Sequence, residues 1–178
     1  MTNILYVTGS ARNDGSLSRM IGDRFLNGWK SYRGSIELIH RDVGTNPPPI
    51  ISENWIAAAF TPEAERTAAQ QEILALSGEL IAEVDQAEVV VIATPMYNYG
   101  MPAALKAWVD QVVRVNETFT FDLARGDYPL EPTLSGKTLV LLTSSGEFGF
   151  EPGSARESMG HLIPHLKTVS KYLGAERI

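Results

Sequence analysis

Three stretches of this 178-residue chain, Ile4 to Val7, Val89 to Ala93 and Thr138 to Leu142, are nearly continuous runs of aliphatic and β-branched residues. A strand with one wet face alternates apolar and polar residues, whereas an unbroken run marks a strand buried on both faces. A sheet covered on both faces needs helices above and below it, which narrows the fold to the α/β classes. A weaker run, Ser35 to His40, offers a fourth strand through Ile36, Leu38 and Ile39.

Helical periodicity fills the intervals. Leu17, Met20, Ile21, Phe25 and Trp29 recur at three- and four-residue spacing, as do Ile73, Leu76, Leu80, Ile81 and Val84 after a start signal at Thr61-Pro62-Glu63. A third stripe, Leu105, Trp108, Val109, Val112 and Val113, is opened by Pro102. A fourth runs from Met159 through Leu162, Ile163, Leu166 and Val169 to Leu173. Ser154 with Glu157 predicts its capping box, Gly174 its stop, and Pro164 a kink within it. Trp29 and Trp108 fall on these stripes and are expected in the core. Strands alternating with helices predict βαβ units, a mostly parallel sheet and one domain over residues 1–178. Pro47-Pro48-Pro49 reads as a rigid loop. Within the irregular insert 117–136, Thr118 to Phe121 predicts a short hairpin arm. Ala175 to Ile178 stands where a fifth strand would begin.

Composition removes whole classes of function. Fifteen basic against 21 acidic residues leave a formal charge of −6, which argues against a nucleic-acid or anionic-membrane partner. The absence of cysteine excludes disulfides, thiolate nucleophiles and thiolate metal sites. No stretch approaches the roughly 20 apolar residues of a membrane span. Met1 to Val7 lacks a basic leader and a small-residue cleavage site and reads as a strand, so a cytoplasmic location is expected. His161 and His165 lie four apart but lack a third ligand at a sensible spacing, so no metal site is expected. No Gly-x-Ser-x-Gly elbow is present. Glu63, Glu65, Glu72 and Glu79 read as a solvated helix face.

In open parallel sheets ligands bind beyond the carboxyl ends of the strands, so the loops there carry the chemistry. The first loop, Thr8 to Ser18, leaves a buried strand and enters a helix, whose N-terminus offers unpaired N–H groups and partial positive charge. Ser10, Ser16 and Ser18 add neutral donors, and together these groups suit a phosphate dianion. Neither a Walker Gly-Lys-Ser/Thr nor a Gly-x-Gly-x-x-Gly pattern is present. Read alone, Ser16 is equally a helix cap and Gly9 and Gly15 equally turn residues. The second loop, Thr94 to Pro102, combines Met96, Tyr97, Asn98 and Tyr99 between two prolines. This stiff apolar and amide-bearing segment suits a planar heteroaromatic ring. The third, Thr143 to Gly153, carries three glycines that permit close backbone approach, and Phe148 and Phe150 as possible covers.

Gly-Ser-Ala-Arg at 9–12 with Ser16-Leu17-Ser18, and Pro95-Met96-Tyr97-Asn98-Tyr99 leading to Leu105-Lys106-Ala107-Trp108, resemble the FMN-dependent NAD(P)H:quinone reductases known as azoreductases, of the flavodoxin-like fold. Leu74 to Val84 and Thr143-Ser144-Ser145-Gly146 are similar to the family as well, so the likeness spans nearly the whole chain. The resemblance implies an open parallel sheet with helices on both faces, a three-layer α/β/α fold. It implies that Ser10, Ser16 and Ser18, with the backbone around Leu17, hold the FMN phosphate. Met96, Tyr97, Asn98 and Tyr99 would line the isoalloxazine, and Ser144, Ser145, Gly146 and Glu147 would approach its pyrimidine side. The family usually shows a second glycine where this chain has Glu147. It also carries a further strand and helix, so the fifth strand and last helix are expected to be missing or truncated here. Implied too are NADH or NADPH as donor, a quinone or azo acceptor, ping-pong hydride transfer through flavin N5 with no catalytic side chain, and a homodimer. Trp55, Phe60 or the 117–136 insert would then cover the partner's flavin. A flavodoxin-like single-electron carrier and a flavin-free interaction module are the alternatives.

Overall fold

In the computed structural model, which describes residues 1–178, the three apolar runs lie side by side at the centre of a five-stranded parallel sheet. In chain order the strands are β1 (Thr2–Thr8), β2 (Ile36–Asp42), β3 (Val89–Pro95), β4 (Phe119–Phe121), β5 (Leu130–Pro132), β6 (Lys137–Ser144) and β7 (Ala175–Arg177). The main sheet has the order β2-β1-β3-β6-β7, while β4 and β5 pair antiparallel as a separate arm, as the Thr118 to Phe121 reading predicts. The helices are α1 (Leu17–Arg33), α2 (Glu53–Phe60), α3 (Ala68–Gln86), α4 (Ala103–Val112) and α5 (Leu162–Val169).

The unbroken runs are explained by the two faces. Successive side chains of a strand point to opposite sides of the sheet. Leu5, Val7, Val90, Ile92 and Leu139 pack with Leu80 and Val84 of α3, Trp108 and Val112 of α4, and Leu166 of α5. Ile4, Tyr6, Val89, Val91 and Ala93 pack on the other side against Phe25, Leu26 and Trp29 of α1. Gly22 lets α1 approach β1 closely, since a Cβ there would lie 2.0 Å from the Tyr6 hydroxyl.

Several boundaries differ from the sequence reading. The fifth strand, expected to be missing or cut short, is present as the three-residue β7, parallel to β6. Thr61-Pro62-Glu63 does not start α3. It ends α2 and enters a short 3-10 turn, and α3 begins after Thr67, whose capping box with Gln70 is complete. Helix α2 itself carried no recognised signal. Ser154 and Glu157 form no capping box for α5. Glu157 instead accepts from the Gly153 N–H at 2.7 Å inside the preceding loop. Pro164 does not kink α5, because it is the third helical residue, where an N–H has no intrahelical acceptor to lose. Gly174 does stop the following 3-10 turn, with φ 75° in the left-handed region.

The chain leaves β1 toward β2 on one side and reaches β3 on the other, so the strand order reverses at β1 and β3. That reversal opens a crevice at their carboxyl ends. No helix of the structure is long and apolar enough to cross a membrane.

Candidate functional site

The register of the three central strands brings their outgoing loops to one edge. Thr8 lies beside Ala93, and Pro95 beside Ser144. The loop backbones are tied directly, with the Gly9 N–H on the Ala93 carbonyl at 2.9 Å and the Met96 N–H on the Ser144 carbonyl at 2.7 Å. The predicted site residues therefore all follow the carboxyl ends of neighbouring strands, with Ser16 and Leu17 lining one groove and Met96, Ser144, Ser145 and Glu147 a separate cavity.

The first loop is a cradle of donors. Ser10, Ser16 and Ser18 are all buried. Ser16 is the N-cap of α1, accepting from the Arg19 N–H at a long 3.5 Å, and its hydroxyl lies 3.3 Å from that of Ser18. The backbone N–H groups of Gly15, Ser16, Leu17 and Ser18 find no acceptor in the chain. Gly15 has φ 66°, a left-handed conformation that turns this segment into the helix. A groove of about 410 Å³ opens at Asn13 and Gly15 to Leu17 and continues along α1 past Asp23 to Asn27, without reaching Ser10 or Ser18. Neutral hydroxyls and unpaired amides gathered at a helix N-terminus are a donor set matched to a phosphate.

Behind this loop the carboxyl end of β2 makes a brace. The Gly44 N–H donates to the Thr8 carbonyl at 3.0 Å, and a Cβ on Gly44 would lie 2.0 Å from the Ser10 carbonyl oxygen. Arg19 forms an ion pair with Asp42 at 2.7 Å. Burial opposes ionisation of Asp42, but the Arg19 guanidinium and the Thr45 amide and hydroxyl outweigh it and hold the carboxyl well below the usual carboxylate range. Burial, reinforced by nearby Asp23, pushes the Tyr6 phenol up to about 12.

The second loop is a tight reversal. Tyr97 and Gly100 exchange N–H···O bonds at 3.1 and 3.0 Å, with Asn98 at φ 47° and Tyr99 at φ 65°. Left-handed dihedrals at both central positions are those of a type I′ turn. Asn tolerates that region, whereas Tyr99 carries strain of about 1–3 kcal/mol. The turn leaves the Asn98 and Tyr99 N–H groups without partners in the chain, and Tyr97 and Tyr99 each 37% exposed. Unpaired amides flanked by half-exposed aromatics match a flat ring with heteroatoms along one edge.

The third loop closes over the second. The Tyr99 hydroxyl donates to Glu147 Oε1 at 3.2 Å, and Arg156 Nε donates to Glu147 Oε2 at 2.8 Å. Glu147 thus turns its charge toward an arginine of its own loop. Its N–H, like that of Gly146, has no acceptor in the chain. Phe150 meets the Tyr99 ring edge-on, while Phe148 projects outward, 82% exposed. Beneath this loop lies a cavity of about 580 Å³ lined by Met96, Ser144, Ser145, Phe150 and Leu162 among others.

Of the residues expected to reach a partner's site, Trp55 is withdrawn. It is buried, and its indole N–H donates to Gln111 Oε1 at 2.9 Å. Phe60 is 72% exposed. Sequence reading missed Arg19, Asp42 and Arg156, whose partners are brought to them only by strand order and loop closure.

A family model described as the flavodoxin-like fold matches residues 2–178. The chain is 56% identical to FMN-dependent NADH:quinone oxidoreductase 2 of Idiomarina loihiensis, over 99% of this chain and 76% of that protein. It is 54% identical to the Colwellia psychrerythraea protein of the same name, over 99% and 84%. Among solved structures it is similar to an azoreductase from Bacillus anthracis (Sterne), with TM-score 0.84 and 19% identity over 98% of this chain and 83% of that one. An FMN-dependent NADH-azoreductase of Bacillus anthracis (Ames Ancestor) in complex with FMN gives TM-score 0.84 and 20% identity, over 99% and 84%. At such identities the structural likeness speaks for the fold alone.

Proposed function

Since the chain belongs to the family of FMN-dependent NADH:quinone oxidoreductases of the flavodoxin-like fold, we propose that it holds FMN across its three crevice loops and passes hydride from NADH or NADPH to quinones or azo compounds. One observation carries the reading. Four successive unpaired amides and three buried serine hydroxyls lie in the loop and helix start after β1, and the neighbouring strand β3 leads into an aromatic turn with its own free amides. Phosphate donors and a ring platform on neighbouring strands are what a flavin mononucleotide requires.

When bound, FMN would supply the redox chemistry, carrying hydride from the nicotinamide to the acceptor. Ser10, Ser16, Leu17 and Ser18 bind the phosphate. Met96, Tyr97, Asn98 and Tyr99 orient the ring through the stiff turn. Ser144, Ser145, Gly146 and Glu147 would approach its pyrimidine side, where the unpaired Gly146 and Glu147 N–H groups would steady negative charge. The Glu147 side chain does not oppose that charge, because Arg156 neutralises it. No side chain acts as acid, base or nucleophile; the residues position reacting atoms and exclude water. Donor and acceptor take turns on one open face, which gives ping-pong kinetics.

A second copy of the chain completes the site in this reading. Ile56 and Phe60 on α2, and Phe121, Leu123 and Tyr128 on the β4–β5 arm, are large exposed apolar side chains that suit burial in a homodimer. The absence of cysteine fits a reducing cytoplasm.

The test is an anaerobic titration with NADH after loading with FMN and desalting. Loss of the bound yellow absorption band, restored by a quinone, supports the reductase. Retained flavin that neither NADH nor NADPH bleaches favours the electron carrier instead. A protein that retains no flavin leaves only the fold.

A further inference from the structure

Arg19 lies in the first turn of α1, yet its side chain folds back beneath the β1–α1 loop. Nε donates to the Arg12 carbonyl at 2.9 Å, and Nη2 to the Ser10 carbonyl at 2.7 Å. Nη1 reaches the Thr8 hydroxyl at 3.2 Å, and both Nη atoms grip Asp42 at 2.7 and 2.8 Å. Asp42, the last residue of β2, is itself held by the Thr45 N–H at 3.1 Å. The pair is largely withdrawn from solvent, with side chains 15% and 22% exposed.

The carbonyl and N–H of one trans peptide unit point in opposite directions. A guanidinium that holds the Ser10 and Arg12 carbonyls therefore turns the N–H groups of Ala11 and Asn13 away from itself. Neither N–H has an acceptor in the chain. With its charge matched by Asp42 and its donors spent on the loop, Arg19 is not a direct phosphate ligand. It sets the direction of the groups around one.

We propose that Arg19, anchored by Asp42, is a positioning residue that preorganises the first loop for the FMN phosphate. The proposal rests on the assignment of that loop to the phosphate. A loop held in its binding conformation spends less of its interaction energy on ordering, so its loss weakens phosphate recognition in particular. The planar fork is essential, since one ammonium cannot serve two carbonyls and a bidentate carboxylate together.

The experiment compares FMN with riboflavin, which has the same ring and no phosphate. Both are titrated against the full chain by flavin fluorescence, in the wild type, Arg19→Met and Arg19→Lys, with a thermal melt of each. Arg19→Met is expected to lose at least about tenfold in FMN affinity while riboflavin affinity stays within about threefold, so that the preference for FMN collapses. Arg19→Lys, which keeps length and charge and serves as the test should Arg19→Met not fold, is expected to lose that preference too. A preference that survives in Arg19→Lys overturns the proposal. So does an equal fall for both ligands together with a lower melting temperature, which would make Arg19 purely structural. A wild type that binds both flavins equally would instead remove the phosphate assignment, and the proposal with it.

Discussion

The Tyr99 hydroxyl donates to Glu147 Oε1 at 3.2 Å, joining the turn after β3 to the loop after β6 across the mouth of the crevice. Tyr99 pays for its left-handed backbone at φ 65°, and the surroundings hold it there. Its carbonyl accepts from the His161 N–H at 2.8 Å, its ring meets Phe150, and its hydroxyl is fixed by a carboxylate that Arg156 also grips. A strained residue tied at three points makes a rigid wall for the site.

Glu147→Ala is expected to free this loop without unfolding the protein. Glu147 and Arg156 are 46% and 37% exposed, and ion pairs so open to water contribute about 1 kcal/mol or less. Hydrogen exchange should rise in residues 145–161 while the urea midpoint barely moves. Unchanged exchange in that segment would show that the tie is not what orders the loop.

Asn98 separates backbone from side chain. Asn98→Gly keeps the left-handed turn and removes only the amide, whereas Asn98→Ala adds strain on the order of 1 kcal/mol. If the amide addresses the flavin, FMN affinity or reduction potential shifts in both variants, and only Asn98→Ala also melts earlier. A normal flavin in Asn98→Gly would assign the position to turn geometry alone.

Ser16→Ala combined with Ser18→Ala removes two hydroxyls from the donor cradle. Hydrogen bonds to a charged group contribute about 1.5–3 kcal/mol each, so FMN affinity should fall by at least about 100-fold. The helix cap lost with Ser16 costs about 1 kcal/mol, leaving the fold intact by circular dichroism. Undiminished FMN affinity in the double variant would refute the phosphate assignment.

Acid should reveal the Arg19–Asp42 pair. The Asp42 carboxyl is held well below its usual range in the folded chain, so the folded state binds that proton less readily than the unfolded one. Its contribution is fully present above the ordinary carboxylate pKa of about 3.9 and is lost as pH falls toward the lower folded value. The stability difference between wild type and Asp42→Asn should therefore be constant from neutral pH to about 5 and shrink below about 4. Urea melts across that range test it, and a difference that does not narrow in acid would refute the linkage.

What was legible along the chain was local. Ile4 to Val7, Val89 to Ala93 and Thr138 to Leu142 announce buried strands, because burial on both faces leaves no room for alternation. Pro102 opens α4 and Gly174 closes the last turn, because each restricts or permits its own dihedral angles. Ser16-Leu17-Ser18 and Met96 to Tyr99 stand out because the residue types themselves carry the donors and the ring surface. Helix α2 is not legible in the sequence, since Glu53–Phe60 is only 8 residues long and too short for a clear period. Met159 matches the spacing of the fourth helical stripe yet precedes α5, because the chain around Ser154 and Glu157 bonds within its own loop. Contacts between distant segments were not legible. Arg19 meets Asp42 because β2 lies beside β1, and Glu147 meets Tyr99 because β6 lies beside β3. Residue chemistry sets which groups can bond, but strand order sets which groups come within reach, and that order follows from packing the whole sheet between its helices.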